Sequence, residues 1–256
     1  MSDHFVVIGA QRSGTTYLHD LLEAHPDIAM ARPARPEPKV FLADEVVERG
    51  ADWYRRTWFA HATGETVLGE KSTSYIESAA AAIRVRAVLG EARIVVQLRD
   101  PIERAVSNWK FTRASGLEDL SLPEAMRRNL TGRRDWDPRR SSVSPYSYLE
   151  RGRYAEQLVP WLGTFPGLVR VQFLEHLVAD PEVIGDLYRW LGVDATVRPD
   201  GLGRPVHVSD EPADELGEDL RSRMRDWYTR HDRELSELLG VELPWPAPTP
   251  ARSTEP

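Results

Sequence analysis

Apolar and polar residues along the chain alternate between two rhythms. Short, nearly unbroken apolar runs at Phe5 to Ile8 and Arg93 to Leu98 read as strands, the second, with one Gln, as a strand buried on both faces, and Val169 to Phe173 reads as a further strand. Asp27 to Ala31 predicts a further short strand, and Val67-Leu68 leads into a strand end at Gly69-Glu70-Lys71-Ser72. Between them lie helical stretches: Gly14 to Ala24, stopped by His25-Pro26; the Ala-rich Ser78 to Leu89; Tyr154 to Leu162; the amphipathic Pro181 to Leu191; and Glu211 to Leu239. Asp100-Pro101 opens another helix, with Asp as the N-cap and Pro at the first helical position. Residues 32–41 carry three prolines among charged residues and read as a loop, and residues 116–147 as a helix plus a long irregular loop. Strands alternating with helices imply an α/β fold, a P-loop-like parallel sheet flanked by helices on both faces, with ligands at the carboxyl ends of the strands. A single domain over 1–243 and a proline-rich, disordered C-terminal tail over 244–256 are expected, with no internal repeat.

Composition narrows the class. The 256 residues, 41% hydrophobic and 29% charged, fit an ordinary soluble globular protein. No apolar run approaches the roughly 18 residues of a membrane helix, and the N-terminus lacks the basic and apolar regions of a signal peptide. Without cysteine, disulfides, thiolate nucleophiles and thiolate metal sites are excluded, and a cytoplasmic location fits. A net charge of −7 argues against a nucleic-acid partner, and no membrane partner is expected. The charge is uneven, however: from Arg84 to Arg153, 15 Lys and Arg face 9 Asp and Glu, enough to hold an anionic ligand.

The segment Gly9-Ala10-Gln11-Arg12-Ser13-Gly14-Thr15-Thr16 joins a buried strand to a helix. In such a turn successive N–H groups point at one spot and the helix start adds partial positive charge, which makes a phosphate cradle. Its spacing matches the P-loop pattern, but Thr15 stands where a nucleotide triphosphatase needs Lys, which argues against ATP or GTP hydrolysis. A cation stands instead at Arg12, within the loop. After the strand Ile94 to Leu98, Arg99 sits at a carboxyl end and Ser107 about two helical turns on, a pair suited to clamp one phosphate by a guanidinium fork and a hydroxyl.

These motifs resemble the PAPS-dependent sulfotransferases, in particular the bacterial and heparan-sulfate-type branch, where PAPS is 3′-phosphoadenosine 5′-phosphosulfate. The resemblance rests on Gln11 to Leu18, on Leu98-Arg99-Asp100-Pro101-Ile102-Glu103-Arg104-Ala105-Val106-Ser107-Asn108, on Gly69 to Tyr75, and on Arg151 to Tyr154 followed by Trp161, and runs from about residue 5 to residue 207. It implies that Gln11, Arg12, Ser13, Gly14, Thr15 and Thr16 hold the 5′-phosphosulfate, that Arg99 and Ser107 read the 3′-phosphate, and that Arg204 adds a late contact. It also implies sulfuryl transfer by in-line displacement without a required metal, leaving 3′-phosphoadenosine 5′-phosphate (PAP). No metal-ligand cluster is visible in the sequence.

In that chemistry the acceptor oxygen loses a proton and the leaving phosphate oxygen is stabilised. The family's base is a Glu in a loop that Pro36-Glu37-Pro38-Lys39-Val40-Phe41 matches, so Glu37 is the expected base; Glu70, also at a strand end, stays open as its rival. Arg12, Lys39 and Lys71 complete the expected catalytic set. Of the 33 basic residues only Lys39, Lys71 and Lys110 are Lys, and two of these fall in the motifs. Arg12 stands where many relatives have Lys; it stabilises charge but donates protons poorly. A small-molecule kinase and a non-catalytic nucleotide-binding relative are the competing readings. The expected partner is a carbohydrate or small-molecule acceptor, with Trp136, Tyr146 and Tyr148 as candidate walls of its pocket.

Overall fold

The structure, a computed structural model, describes residues 4–133, 135–136, 146–203 and 215–246. In chain order its elements are β1 (His4–Gly9), α1 (Thr15–Glu23), β2 (Ile28–Met30), α2 (Glu45–Trp58), β3 (Val67–Lys71), α3 (Ala79–Leu89) and β4 (Arg93–Leu98). They continue with α4 (Pro101–Ala114), α5 (Leu122–Leu130), α6 (Tyr154–Thr164), β5 (Val169–Phe173), α7 (Leu174–Ala179), α8 (Glu182–Leu191) and α9 (Glu218–Leu239).

The five strands form one parallel sheet in the order β2-β3-β1-β4-β5. The chain leaves β1 towards one edge, returns to lay β3 beside it, and then crosses to the other side for β4. The order therefore reverses at β1, and a crevice opens beyond its carboxyl end. Helices cover both faces, and the fold is the α/β architecture expected from the sequence. Phe5 and Val7 of β1 and Val95 of β4 pack in a cluster with Tyr17, Leu18 and Leu21 of α1, Leu177 of α7 and Ile184, Leu187 and Tyr188 of α8. Val6 and Ile8, which strand alternation turns to the opposite face, are equally buried. Each such side chain contributes on the order of 1.5–3 kcal/mol relative to exposure, so β1 is held from both sides where the Gly9 to Thr16 loop leaves it.

The chain divides into two compact units, Met1–Arg99 with Glu156–Val208 and Asp100–Ala155 with Ser209–Pro256. The first holds the whole sheet. The second has its own core, in which Trp109 of α4, Met126 of α5, Tyr148 and Leu149, and Met224 and Tyr228 of α9 pack together. Within it, Asp100 caps α4 through the Ile102 N–H (2.9 Å) and accepts from Arg225 (2.7 Å).

The structure departs from the sequence reading at four places, one of them the short helix α7, which was not expected between β5 and α8. Helix α2 was not expected: only Val46 and Tyr54 are buried in its 14 residues, too few to print a period, and Gly50 at φ +72° breaks its dihedrals. Helix α9 begins at Glu218 rather than Glu211, with Gly217 at φ +70° before it; residues 211–214 lie outside the described residues. Trp245 falls inside the expected tail, yet it is buried, packs on Tyr154 and donates its indole N–H to Asp232 at 3.1 Å. Residues 247–256 of that tail lie outside the described residues.

Candidate active site

The loop from Gly9 to Gly14 leaves β1 and enters α1 as a tight turn. Arg12 and Gly14 hold left-handed dihedrals at φ +68° and +74°, and Ser13 N–H closes the turn on Ala10 C=O at 3.2 Å. Gly14 is required on two counts. Its φ is costly for any residue with a Cβ, and a Cβ there would lie 2.6 Å from Leu174 Cδ1 and 3.1 Å from the Gln97 amide nitrogen. At the other end of the loop, a Cβ on Gly9 would lie 2.6 Å from Ile76 Cγ2. The Ser13 hydroxyl is buried and, among the described residues, has no hydrogen-bond partner. A buried hydroxyl left open inside a turn of this shape fits a loop that receives an anion. Gln11, Arg12 and Thr16 are half-buried on the loop and Thr15 is buried.

The end of β3 lies beside this loop, since Lys71 pairs in register with Val7 and Ser72 N–H donates to Val7 C=O at 3.0 Å. Lys71 Nζ donates to Glu37 Oε1 at 2.8 Å, and the Thr73 N–H donates to Glu37 Oε2 at 3.0 Å. The Thr73 hydroxyl reaches both carboxylate oxygens, at 3.2 and 3.0 Å. The Glu37 side chain keeps 17% of its surface exposed. Lys39 enters a 3₁₀ turn at φ +53° and donates its backbone N–H to Ser72 Oγ at 2.9 Å. Among the described residues its ammonium has no partner.

Glu70 has a different setting. It is 0% exposed and accepts three hydroxyls: Tyr54 at 2.6 Å, Ser72 at 2.6 Å and Tyr75 at 2.7 Å. Burial pushes its pKa up, while the hydroxyl donors pull the other way. Two of these hydroxyls accept in turn from the loop that carries Glu37, Ser72 from Lys39 N–H and Tyr75 from Phe41 N–H at 3.1 Å. Glu70 thus anchors that loop from behind.

The family model of the sulfotransferase domain matches residues 2–203. The chain belongs to the sulfotransferase domain family. Among curated relatives, heparan sulfate glucosamine 3-O-sulfotransferase 3B1 of Mus musculus is 26% identical over 266 residues, covering 94% of this chain and 64% of the relative. Heparan sulfate glucosamine 3-O-sulfotransferase 6 of Homo sapiens is 27% identical over 263 residues, covering 94% of this chain and 72% of the relative. The chain therefore spans just under two thirds of the length of the first of these. Among solved structures, a sulfotransferase from Alicyclobacillus acidocaldarius matches with a TM-score of 0.75 and 26% identity, over 93% of this chain and 96% of that one.

Of the remaining residues singled out for sulfotransferase chemistry, Arg99 stands half-buried directly after β4 in the first unit, and Ser107 half-buried on α4 in the second. Arg204 lies outside the described residues; the preceding Gly203 donates its N–H to the Tyr17 hydroxyl on α1 at 2.8 Å. Of the expected acceptor walls, Tyr148 is a core residue, 1% exposed, with its hydroxyl on Glu118 at 2.8 Å. Tyr146, whose hydroxyl donates to Leu117 C=O, and Tyr148 border a small, open cleft with Asn129 and Arg128. Trp136 is half-buried.

Sequence reasoning passed over Thr73, Tyr54, Gln97 and Gln172. Thr73 and Gln97 left a signal, Thr73 inside the Gly69 to Tyr75 motif and Gln97 as the one polar residue in the apolar run of β4. His19 on α1 is buried; burial and then the Lys71 charge lower its pKa.

Proposed function

We propose that the protein transfers a sulfuryl group from PAPS to an acceptor hydroxyl. The observation that carries this reading is the juxtaposition in one unit of an anion-shaped loop at the end of β1 and the Glu37–Lys71 pair, 2.8 Å apart, at the end of the adjacent β3. The loop takes the 5′-phosphosulfate on its N–H groups and on Ser13, Thr15 and Thr16, with Gln11 and Arg12 at its rim. The acceptor oxygen attacks sulfur as the bond from sulfur to the bridging phosphate oxygen breaks. The electron pair of that bond leaves on the 5′-phosphate of PAP, and the proton of the acceptor hydroxyl passes to Glu37. Arg12 and Lys71 offset the negative charge that develops on the leaving oxygen, and the ammonium of Lys39 adds positive charge near the acceptor.

Burial favours Glu37 over Glu70 as the base. A base must reach the proton it takes; both carboxylates accept several hydrogen bonds, but Glu37 keeps exposed surface whereas Glu70 is fully enclosed. Arg99 and Ser107 are assigned to the 3′-phosphate by their motif. The acceptor class is proposed as a carbohydrate or a hydroxylated small molecule. The heparan sulfate glucosamine 3-O-sulfotransferases among the relatives favour the carbohydrate.

An acceptor screen with isotopically labelled PAPS, read by mass spectrometry for labelled sulfate on the acceptor, tests the reading. Calorimetry without added metal should also show PAP binding far more tightly than AMP. Equal affinities for the two nucleotides would remove the assignment of Arg99 and Ser107, and absence of PAP binding would remove the donor.

A further inference from the structure

Beneath the phosphate loop runs a chain of buried amides that the proposed reaction does not itself use. Gln172 of β5 and Gln97 of β4 stand opposite each other in register, 5% and 0% exposed. Gln172 Nε2 donates to Gln97 Oε1 at 2.9 Å, and Gln97 Nε2 donates to the Ser13 carbonyl at 2.9 Å. The backbone of Gln97 grips the other end of the same turn, its carbonyl accepting the Ala10 N–H at 2.7 Å. One residue therefore holds the loop at both ends.

A loop that binds an anion through its N–H groups must turn its carbonyls away from the ligand, because each carbonyl oxygen carries partial negative charge. A carbonyl turned into the protein must in turn find a donor there. The Gln97 amide supplies that donor for Ser13. The Ser13 carbonyl, which can only accept, sets which way round the Gln97 amide sits, and Gln172 Nε2 supports that orientation by donating to the Oε1 left on the far side. The Gln97 amide also fills the space that a Cβ on residue 14 would enter. Two neutral polar side chains buried in β4 and the neighbouring edge strand β5 carry a desolvation cost, which this relay offsets in part: among the described residues Gln172 Oε1 stays buried without a partner.

We infer that Gln97 and Gln172 are positioning residues for the donor: they set the Ser13–Gly14 peptide so that its N–H side faces the 5′-phosphosulfate. The inference rests on the donor reading proposed above.

Gln97→Met keeps the volume and removes the donor. Its KM for PAPS and its dissociation constant for PAP should rise about two- to tenfold, the range for one neutral hydrogen bond, while kcat at saturating PAPS stays within about twofold of wild type. Gln172→Met, one step further from the loop, should show the same pattern more weakly. Val95→Ala, a cavity in the same strand, should lower the melting temperature without changing PAP affinity, because it leaves the loop's hydrogen bonds in place. The amide nitrogen shift of Gly14, which reports the hydrogen bond on the Ser13 carbonyl without any ligand, should move in Gln97→Met and not in Val95→Ala.

If Gln97→Met folds and binds PAP as wild type does, with an unmoved Gly14 amide, the inference is overturned. If Gln97→Met does not fold, Gln172→Met decides on the same readouts. A wild-type protein that does not bind PAP at all would sink the donor reading, while the Gly14 shift still decides whether Gln97 sets the loop.

Discussion

Two loops meet at the head of the sheet, and each is held from behind in a different way. The phosphate loop after β1 rests on neutral amides, Gln172 to Gln97 to the Ser13 carbonyl. The loop carrying Glu37 rests on a buried carboxylate, Glu70, which reaches its backbone through the hydroxyls of Ser72 and Tyr75. The contrast follows from what each loop faces. A buried negative charge under the phosphate loop would oppose the anion above it, since Coulomb interactions at low dielectric carry several ångströms with little screening. The Glu37 loop sits beside Lys71 and near Lys39, and hydroxyls stand between the Glu70 charge and the backbone it anchors. A carboxylate there accepts three strong hydrogen bonds, more than an amide carbonyl in the same place would take.

The largest expected effect separates the carboxylate that reacts from the one that supports. Glu37→Gln keeps the shape of the side chain and cannot take a proton at neutral pH. Turnover should fall on the order of a hundredfold to ten-thousandfold, the range for a positioned base, with PAP affinity near wild type. The loss should shrink for acceptors with more acidic hydroxyls, and steady-state rates across a series of phenols or sugars measure this. If Glu70→Gln shows that dependence on acidity and Glu37→Gln does not, the two roles are exchanged.

On the anion side, Arg99→Ala should weaken PAP binding on the order of tenfold to a hundredfold, the loss of a charged hydrogen bond to phosphate. The effect on turnover of the bound complex should be much smaller. Calorimetry gives the first quantity and saturation kinetics the second; an unchanged PAP affinity removes Arg99 from the site. On the supporting side, Tyr54→Phe deletes one of the three hydroxyls on Glu70. It should cost about 1.5–3 kcal/mol of unfolding free energy, read by denaturant titration, and leave PAP affinity unchanged. A loss of PAP affinity instead would mean that the Glu70 cluster also shapes the phosphate loop.

The parts of this arrangement legible in the sequence are those that repeat a local pattern. The central strands β1 and β4 show as apolar runs, and the phosphate loop shows because Gly9 and Gly14 are needed where side chains would collide or dihedrals turn left-handed. Glu37 and Lys71 each stood out through their motifs, but their pairing across 34 positions is tertiary and left no trace in spacing. Tyr54 was invisible for the same reason, since it comes from a helix with too few buried positions to announce itself. Gln97 was visible as the one polar residue in a buried strand, but its partners Gln172 and Ser13 appear only once the strands are laid side by side. Motif alone made Glu37 the expected base and left Glu70 open as its rival, because burial, which separates them, depends on which residues close over each carboxylate.

The smallest expected effect is a pH dependence that only one of the two supports should have. Burial raises the pKa of Glu70 in the folded protein above the ordinary glutamate value, outweighing the hydroxyls of Ser72, Tyr54 and Tyr75. The folded state then binds that proton more tightly than the unfolded state does. The stability this contributes is fully present below the unfolded-state pKa and is lost as pH rises through the folded-state value. Wild type should therefore lose stability relative to Glu70→Gln as pH rises across the weakly acidic range, because the variant has nothing to ionise at that position. Gln97→Met, which removes a neutral group, should run parallel to wild type over the same range. Denaturant titrations at several pH values measure both offsets. If wild type instead gains on Glu70→Gln as pH rises, the three hydroxyls stabilise the carboxylate by more than burial costs it.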